Sequence, residues 1–395
     1  MQQTAAHNQM SSETNAGTRL DVIDALRAIA ILLVLGRHAP AVPAGAAPDW
    51  VVTFLIVLKQ GGWIGVDLFF VLSGFLVAGL LFREYQSSGE LCIGRFLTRR
   101  AFKIYPAFYV MFAVTLLVAG SLGLPLPRAD VLLSEALFVQ NYGSALFPHT
   151  WSLAVEEHFY LLLPFALLLL RNCKGAPFAR IPLACGLVMV LCLTGRIFTA
   201  ETLSFTYKTH LFATHLRLDS LFFGVFLAWC FHFHANSLRA FTLRWRPFLL
   251  IGAIALAAPA FYFKLGAAPM LTTFGLTAIT LAAGSLLIVS LTWKSGPTTL
   301  VRIGSFSYSI YLWHMTLLLF GVARLPTTVD PFSRLLIFGV GSIGFGILMA
   351  RLIETPFLAI RDRYFPSSAR QHPPAAATAE LFPLSAAESD GKRQT

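Results

Sequence analysis

Residues 20–39 read LDVIDALRAIAILLVLGRHA, an apolar run of one membrane thickness that carries Arg27 near one end and His38 near the other. On a helix the eleven-residue step between them turns through about 1100°, within about 20° of three whole turns, and climbs roughly 16 Å. The guanidinium and the imidazole therefore share one face. Both are costly in hydrocarbon, so they are expected to point into a protein interior and to carry a task. The competing reading sets them at the two interfaces, with Arg27 snorkelling and His38 packed against a loop.

The rest of the chain has the same character. Of its 395 residues, 56% are hydrophobic and only 12% charged, far from the balance of a soluble domain. The expectation is an all-α, polytopic membrane helical bundle. The first twenty residues hold one basic residue, and Asp21, Asp24 and Arg27 open the first apolar run. The n-region and cleavage site of a signal peptide are missing, so this helix is expected to stay in the mature protein. The net charge of +11 is read as loop charge at a membrane, and no nucleic-acid partner is expected. Of five cysteines, Cys185, Cys192 and Cys230 lie in apolar runs and Cys92 and Cys173 in basic loops; all are read as reduced packing residues, with no metal site.

Runs long enough to span, about 20 residues each, lie near 21–40, 63–82, 103–121, 151–170, 180–199, 214–233, 247–265, 271–291, 303–322 and 333–353. Ten helices are expected. With the N-terminus in the cytoplasm, about 20 basic residues fall on that side and about 7 on the other. The organisation is then a cytoplasmic tail over 1–19, a transmembrane domain over 20–360, and a disordered cytoplasmic tail over 361–395, with no soluble domain at either end. The longest outer connection, 122–150, contains VLLSEALFVQN, which is expected to form a short interfacial helix.

Five further stretches carry chemistry. GRFLTRRAFKIYP gathers Arg95, Arg99, Arg100 and Lys103 at the mouth of the third helix, a pattern suited to phosphate or to plain anchoring. TWSLAVEEHFYLLLP spaces Ser152, Glu156 and Tyr160 at i, i+4, i+8. Glu156, one turn inside the outer boundary, is placed to meet His38 and orient it, or else to pair with Arg37 or Arg217. GVDLFFVLSGFL brings Asp67 and a small Ser73-Gly74 step, RLDSLFFGVF a local Arg217–Asp219 pair, and FSYSIYLWHM sets Ser307, Tyr311 and His314 on one face. His314 falls near mid-membrane, as a core histidine or in the lining of a polar channel.

Seven segments together resemble the acyltransferase-3 family of integral membrane acyltransferases: LDVIDALRAIAILLVLGRH, VDLFFVLSGFL, FLTRRAFKIYP, TWSLAVEEHFYLLLP, RLDSLFFG, SYSIYLWH and the closing ETPF, in the family's order over about residues 19–360. The resemblance implies transfer of an acyl group, usually acetyl from acetyl-CoA, to hydroxyls of carbohydrates or small lipophilic acceptors. It also implies a bacterial inner-membrane location and no bound cofactor. It points to Arg27 and His38 as the functional pair of the first helix, to Arg100 and Lys103 as the basic pair, and to Glu156 as the acidic partner. This chain departs from the family pattern at Ala25 and Ala28, where glycine is usual, and at Lys103, where arginine is usual.

The mechanism expected on that basis has Arg27, Arg99, Arg100 and Lys103 holding the CoA phosphates and His38 acting as general base or acyl carrier. Ser152, Tyr160 or Trp151 would donate to the oxyanion. Asp67, Tyr311 and His314 complete the candidate substrate-binding set, beside membrane lipids and a carbohydrate or lipid-linked acceptor as partners. Two alternatives stand beside it: a transporter or flippase for a glycan or lipid-linked precursor, and an enzyme with a cytoplasmic small-molecule acceptor. The orientation is checked by thiol labelling of single cysteines on a cysteine-free background. Residue 90 and residue 174 are expected to react only from the cytoplasmic side, and external labelling of either overturns the topology.

Overall fold

The structure, a computed structural model, describes residues 21–171 and 176–366. The expected N-terminal tail, Cys173 and the C-terminal tail beyond 366 lie outside the described residues. Among the described residues all regular structure is helical. Helix α1 (21–38) is followed by α2 (Asp49–Gly61), α3 (Ile64–Ser88), α4 (Ile93–Ser121), the short α5 (Ala129–Ala136), α6 (Trp151–Arg171), α7 (Ile181–Thr202), α8 (Leu218–Phe233), α9 (Ala235–Tyr262) and α10 (Leu276–Ser290). Next, α11 (Thr298–Ser305) and α12 (Ser307–Thr316) meet at a 65° bend. Finally α13 (Pro331–Met349) passes through a π-helical turn, Ala350–Glu354, into α14 (Thr355–Tyr364).

Seven of the described helices are long and apolar enough to cross a membrane, or eight if the bent α11–α12 stretch is one span. Ten is therefore more than the structure supports. The expected sixth span accounts for part of the difference: the chain at Lys208–Leu216 coils into a π-helical and a 3-10 turn, and α8 begins only at Leu218, with 16 residues. The expected first span, α1, begins at the edge of the described residues. In the other direction, α4 starts ten residues before the apolar run does, so the basic cluster Arg95–Lys103 is helical rather than a loop. The outer connection does contain a short helix, α5, of eight residues.

Helix α3 is the most deeply buried of the spans, and α8 lies along it as its closest neighbour. The reason is at their crossing. A Cβ on Gly74 would stand 1.9 Å from the carbonyl oxygen of Leu221, and one on Gly224 would stand 2.2 Å from that of Val71. Backbones meet there because neither position has a side chain. The small step of the second span is thus split in function: Gly74 makes the helix contact and Ser73, 100° round, turns elsewhere. The bend after α11 acts similarly, since a Cβ on Gly304 would lie 1.7 Å from the carbonyl oxygen of Asp24. This close approach sets α12 alongside α1, so that the face carrying Arg27 and His38 looks onto Tyr308, Tyr311 and His314.

Two buried ion pairs fix the same layer. Arg217 donates to Asp67 at 2.7 Å and Arg196 to Asp219 at 2.7 Å, with all four side chains at most 1% exposed. Arg217 also lies over the rings of Phe70 and Trp151, 5.5 and 5.7 Å from their centroids. Arg217 and Asp219 therefore do not pair locally; each reaches across to another helix. The 3-10 turn before α8 frees Arg217 from the helix and lets it do so. Gly74→Ala is expected to cost on the order of 1–3 kcal/mol or more, because its collision is with backbone. Gly94→Ala, with open space around it, is expected to be neutral or slightly stabilising. Thermal unfolding of both variants in detergent checks the contrast.

Candidate active site

Helices α1, α3, α4, α6 and α12 enclose a cavity of about 170 Å³. Its cations come from α1 and α4, and helical register decides which. At 100° per residue, Arg95, Arg99, Lys103 and Arg100 fan across about 140° of α4 in that order. Arg95 pairs with Glu84 at 2.6 Å and Arg99 with Asp362 at 3.1 Å, both away from the cavity. Lys103 and Arg100 line it. The Lys103 ammonium is paired with Glu354, which the π-helical turn before α14 buries and which also accepts from Ser309 Oγ at 2.8 Å. Arg27, also in the lining, holds Asp24 at 3.1 Å. Arg100 differs from all of these. It makes no ion pair or hydrogen bond among the described residues and rests 5.7–5.8 Å over the rings of Phe96 and Tyr160, its guanidinium facing the cavity.

Helix α6 runs along the cavity wall, and its i, i+4, i+8 residues form a polar ladder about 12 Å long. At the basic end, Tyr160 donates to Glu156 Oε2 at 2.9 Å, so the 2.7 Å contact between Ser73 and Tyr160 has Ser73 as donor. At the far end, Tyr311 donates to the carbonyl oxygen of His149 at 2.6 Å, so Ser152 is the donor in its 2.6 Å bond to Tyr311. Glu157, adjacent to Glu156, accepts from Tyr105 at 3.1 Å and also lines the cavity.

Behind Tyr311 stand three histidines. His314 Nε2 is 3.2 Å from His38 Nδ1, and His149 packs edge-on to His314 with ring centroids 4.9 Å apart. His149 and His314 are buried, whereas His38 is partly exposed and is not in the cavity lining. The hydroxyls of Tyr311 and Ser152 are therefore the wall between the basic cavity and the reactive-histidine candidate.

Most of the residues singled out in the sequence gather here: Arg27, Arg100, Lys103, Ser152, Glu156, Tyr160 and Tyr311 line one cavity, and His38 and His314 touch each other. Three placements differ from expectation. Glu156 does not meet His38; its partner is Tyr160. The Arg37 considered for it instead donates to the Lys59 carbonyl and to Tyr207. Arg99 faces α14, and Asp67 is locked to Arg217 outside the cavity. Sequence reasoning passed over His149, Glu157, Tyr308 and Glu354. Signals for them existed, in the residue just before TWSL, the doubled glutamate, the tyrosine of SYSIYLWH and the acid of ETPF. Spacing within a helix says nothing, however, of which neighbour a side chain meets.

A helical bundle that encloses three cations and ends on hydroxyls, with a pair of touching histidines behind them, is compatible with acyl transfer in a membrane. Residues 20–351 match the acyltransferase-3 family's acyltransferase domain, and the chain belongs to that family. Among its relatives it is 26% identical over 363 residues to the peptidoglycan O-acetyltransferase OatA of Listeria monocytogenes, a match covering 85% of this chain and 55% of the relative. It is 27% identical over 388 residues to the O-acetyltransferase OatA of Staphylococcus aureus, covering 85% and 56%. The chain thus spans about half the length of these curated relatives. No solved structure matches it.

Asp67 is buried against Arg217 and is absent from the cavity lining, so a structural role is expected. Asp67→Ala leaves the Arg217 charge uncompensated and is expected to cost about 3–5 kcal/mol, lowering the yield of folded protein. The folded fraction, isolated by size exclusion, is expected to keep its affinity for the acyl donor.

Proposed function

We propose that the protein is a membrane O-acyltransferase that takes an acyl group, most simply acetyl, from cytoplasmic acyl-CoA. It passes this group to a hydroxyl of a carbohydrate acceptor, a cell-surface polysaccharide or its lipid-linked precursor. The similarity to the peptidoglycan O-acetyltransferase of Listeria monocytogenes supports O-acetylation of a carbohydrate. The observation that supports the donor assignment is Arg100, a cation with no hydrogen-bond acceptor among the described residues, facing a cavity that it shares with Arg27 and Lys103. A guanidinium left open in this way suits a phosphate oxygen. The volume of about 170 Å³ is below the roughly 300–1,000 Å³ of sites that enclose drug-sized molecules. It accepts a narrow acyl-pantetheine arm and leaves the nucleotide outside the basic mouth.

In this mechanism the thioester carbonyl arrives at the Ser152–Tyr311 wall, where hydroxyl protons turn to meet the developing oxyanion. The acceptor's O–H proton moves to His38, and the freed oxygen attacks the carbonyl carbon. The C–S bond breaks, and the CoA thiolate recovers the proton from the imidazolium. In the other order His38 first takes the acyl group and then yields it to the hydroxyl. Both orders use a neutral imidazole, so activity rises with pH until His38 is deprotonated and falls in acid.

The test is transfer of radiolabelled acetyl from acetyl-CoA by purified protein to peptidoglycan fragments and to extracted lipid-linked glycans. Arg100→Ala is expected to raise the donor requirement about ten- to a hundredfold, the loss of a charge-assisted contact of on the order of 1.5–3 kcal/mol. His38→Gln is expected to abolish transfer. Unchanged donor affinity in Arg100→Ala overturns the clamp, and activity in His38→Gln removes that residue from the chemistry. Glycan movement across vesicles without acetyl-CoA would support the transporter reading instead.

A further inference from the structure

We infer that His314 is the positioning residue for His38: it accepts a hydrogen bond from His38 Nδ1 and leaves Nε2 of His38 as the reacting nitrogen. This rests on the reading of His38 as the group that handles the proton or acyl group. The geometry fixes both tautomers independently. His314 Nδ1 is 2.6 Å from the carbonyl oxygen of Tyr311. A carbonyl only accepts, so Nδ1 of His314 carries the hydrogen and, in the neutral ring, its Nε2 is a lone pair. His38 Nδ1 is 3.0 Å from the carbonyl oxygen of Val34, so it too carries its hydrogen. The 3.2 Å contact between His38 Nδ1 and His314 Nε2 is then a donor facing an acceptor. Had either ring held the other tautomer, a lone pair would oppose a carbonyl oxygen.

The single Nδ1–H of His38 is therefore shared between the Val34 carbonyl and His314 Nε2, and the chain continues from His314 Nδ1–H to the Tyr311 backbone. Its free end is Nε2 of His38. When Nε2 takes a proton, His314 faces the positive ring with a lone pair, the service that a carboxylate performs in serine-type triads. The Val34 carbonyl shares that hydrogen but belongs to the backbone of α1 itself, and among the described residues His314 is the side chain that offers it an acceptor. The charged groups nearest its end of α1 are Arg37 and Lys59, both cations, with the Lys59 ammonium on the Ala39 carbonyl at 3.0 Å. His149 turns Nε2 to the Leu312 carbonyl at 3.3 Å and packs against His314 rather than His38. Glu156 is held by Tyr160. Because His314 is fully buried, water does not replace it when its ring is removed.

The test compares His314→Leu, which keeps volume without an acceptor, with His314→Gln, whose side-chain oxygen reaches about where Nε2 sits. Size exclusion and melting check that each is folded, and His314→Phe replaces the leucine variant if that one does not fold. The expected result is a fall in kcat by at least about tenfold in His314→Leu, with unchanged KM for acetyl-CoA and unchanged binding of CoA. A large part of kcat returns in His314→Gln. Wild-type kcat in His314→Leu overturns the inference, and so does equal loss in both variants, which marks packing alone. Absence of acetyl transfer by the wild type, or full activity in His38→Gln, is a separate result: it removes the His38 chemistry itself, and this role with it.

Discussion

A charge taken into an apolar bundle is stable only with a partner, and this requirement arranges nearly the whole interior of the protein. Asp67 holds Arg217, Asp219 holds Arg196, Glu354 holds Lys103 and Asp24 holds Arg27. The first three pairs join different helices that lipid-like packing alone would leave free to slide, and the fourth lies within α1. Against that background an unpartnered cation is conspicuous. Arg100 is sheltered by two aromatic faces, which temper its charge without cancelling it. Its guanidinium faces the cavity that it shares with Arg27 and Lys103.

Backbone irregularity places these groups. A 3-10 turn releases Arg217 toward α3, the π-helical turn after α13 swings Glu354 inward, and the bend before α12 lets Gly304 touch α1. Irregular turns of this kind recur at functional sites because they re-aim a side chain without breaking the helix that carries it. Here they lie on separate segments and converge on a common layer, with the rigid Gly74–Gly224 crossing as its foundation.

The sequence made the fold class legible through sheer apolarity, and the Arg27–His38 face through simple helical arithmetic. The α6 ladder was legible for the same reason, since i, i+4 neighbours on a helix meet whatever surrounds them. Partner choice was not. Glu156 faces Tyr160 because both ride on α6, and His38 faces His314 because Gly304 lets α12 approach, a fact of tertiary packing that no local spacing encodes. The ten-span expectation runs a little above the seven to eight among the described residues, partly because hydropathy recorded an apolar run at 214–233 but not the 3-10 turn that shortens α8.

The direction of the hydrogen bonds around Tyr311 has a consequence for proton movement. The hydroxyl chain from Ser152 through Tyr311 ends on the carbonyl of His149, and the imidazole chain from His38 through His314 ends on the carbonyl of Tyr311. A carbonyl oxygen accepts a hydrogen bond but has no hydrogen to hand on, so the two chains abut without joining into a wire. In the proposed mechanism a proton taken up by His38 therefore does not travel along these bonds; it is exchanged directly between Nε2 of His38 and the reacting groups. On that reading the two chains give the protein no proton route of their own between the ring and the cavity, and the chemistry waits on the reacting groups themselves.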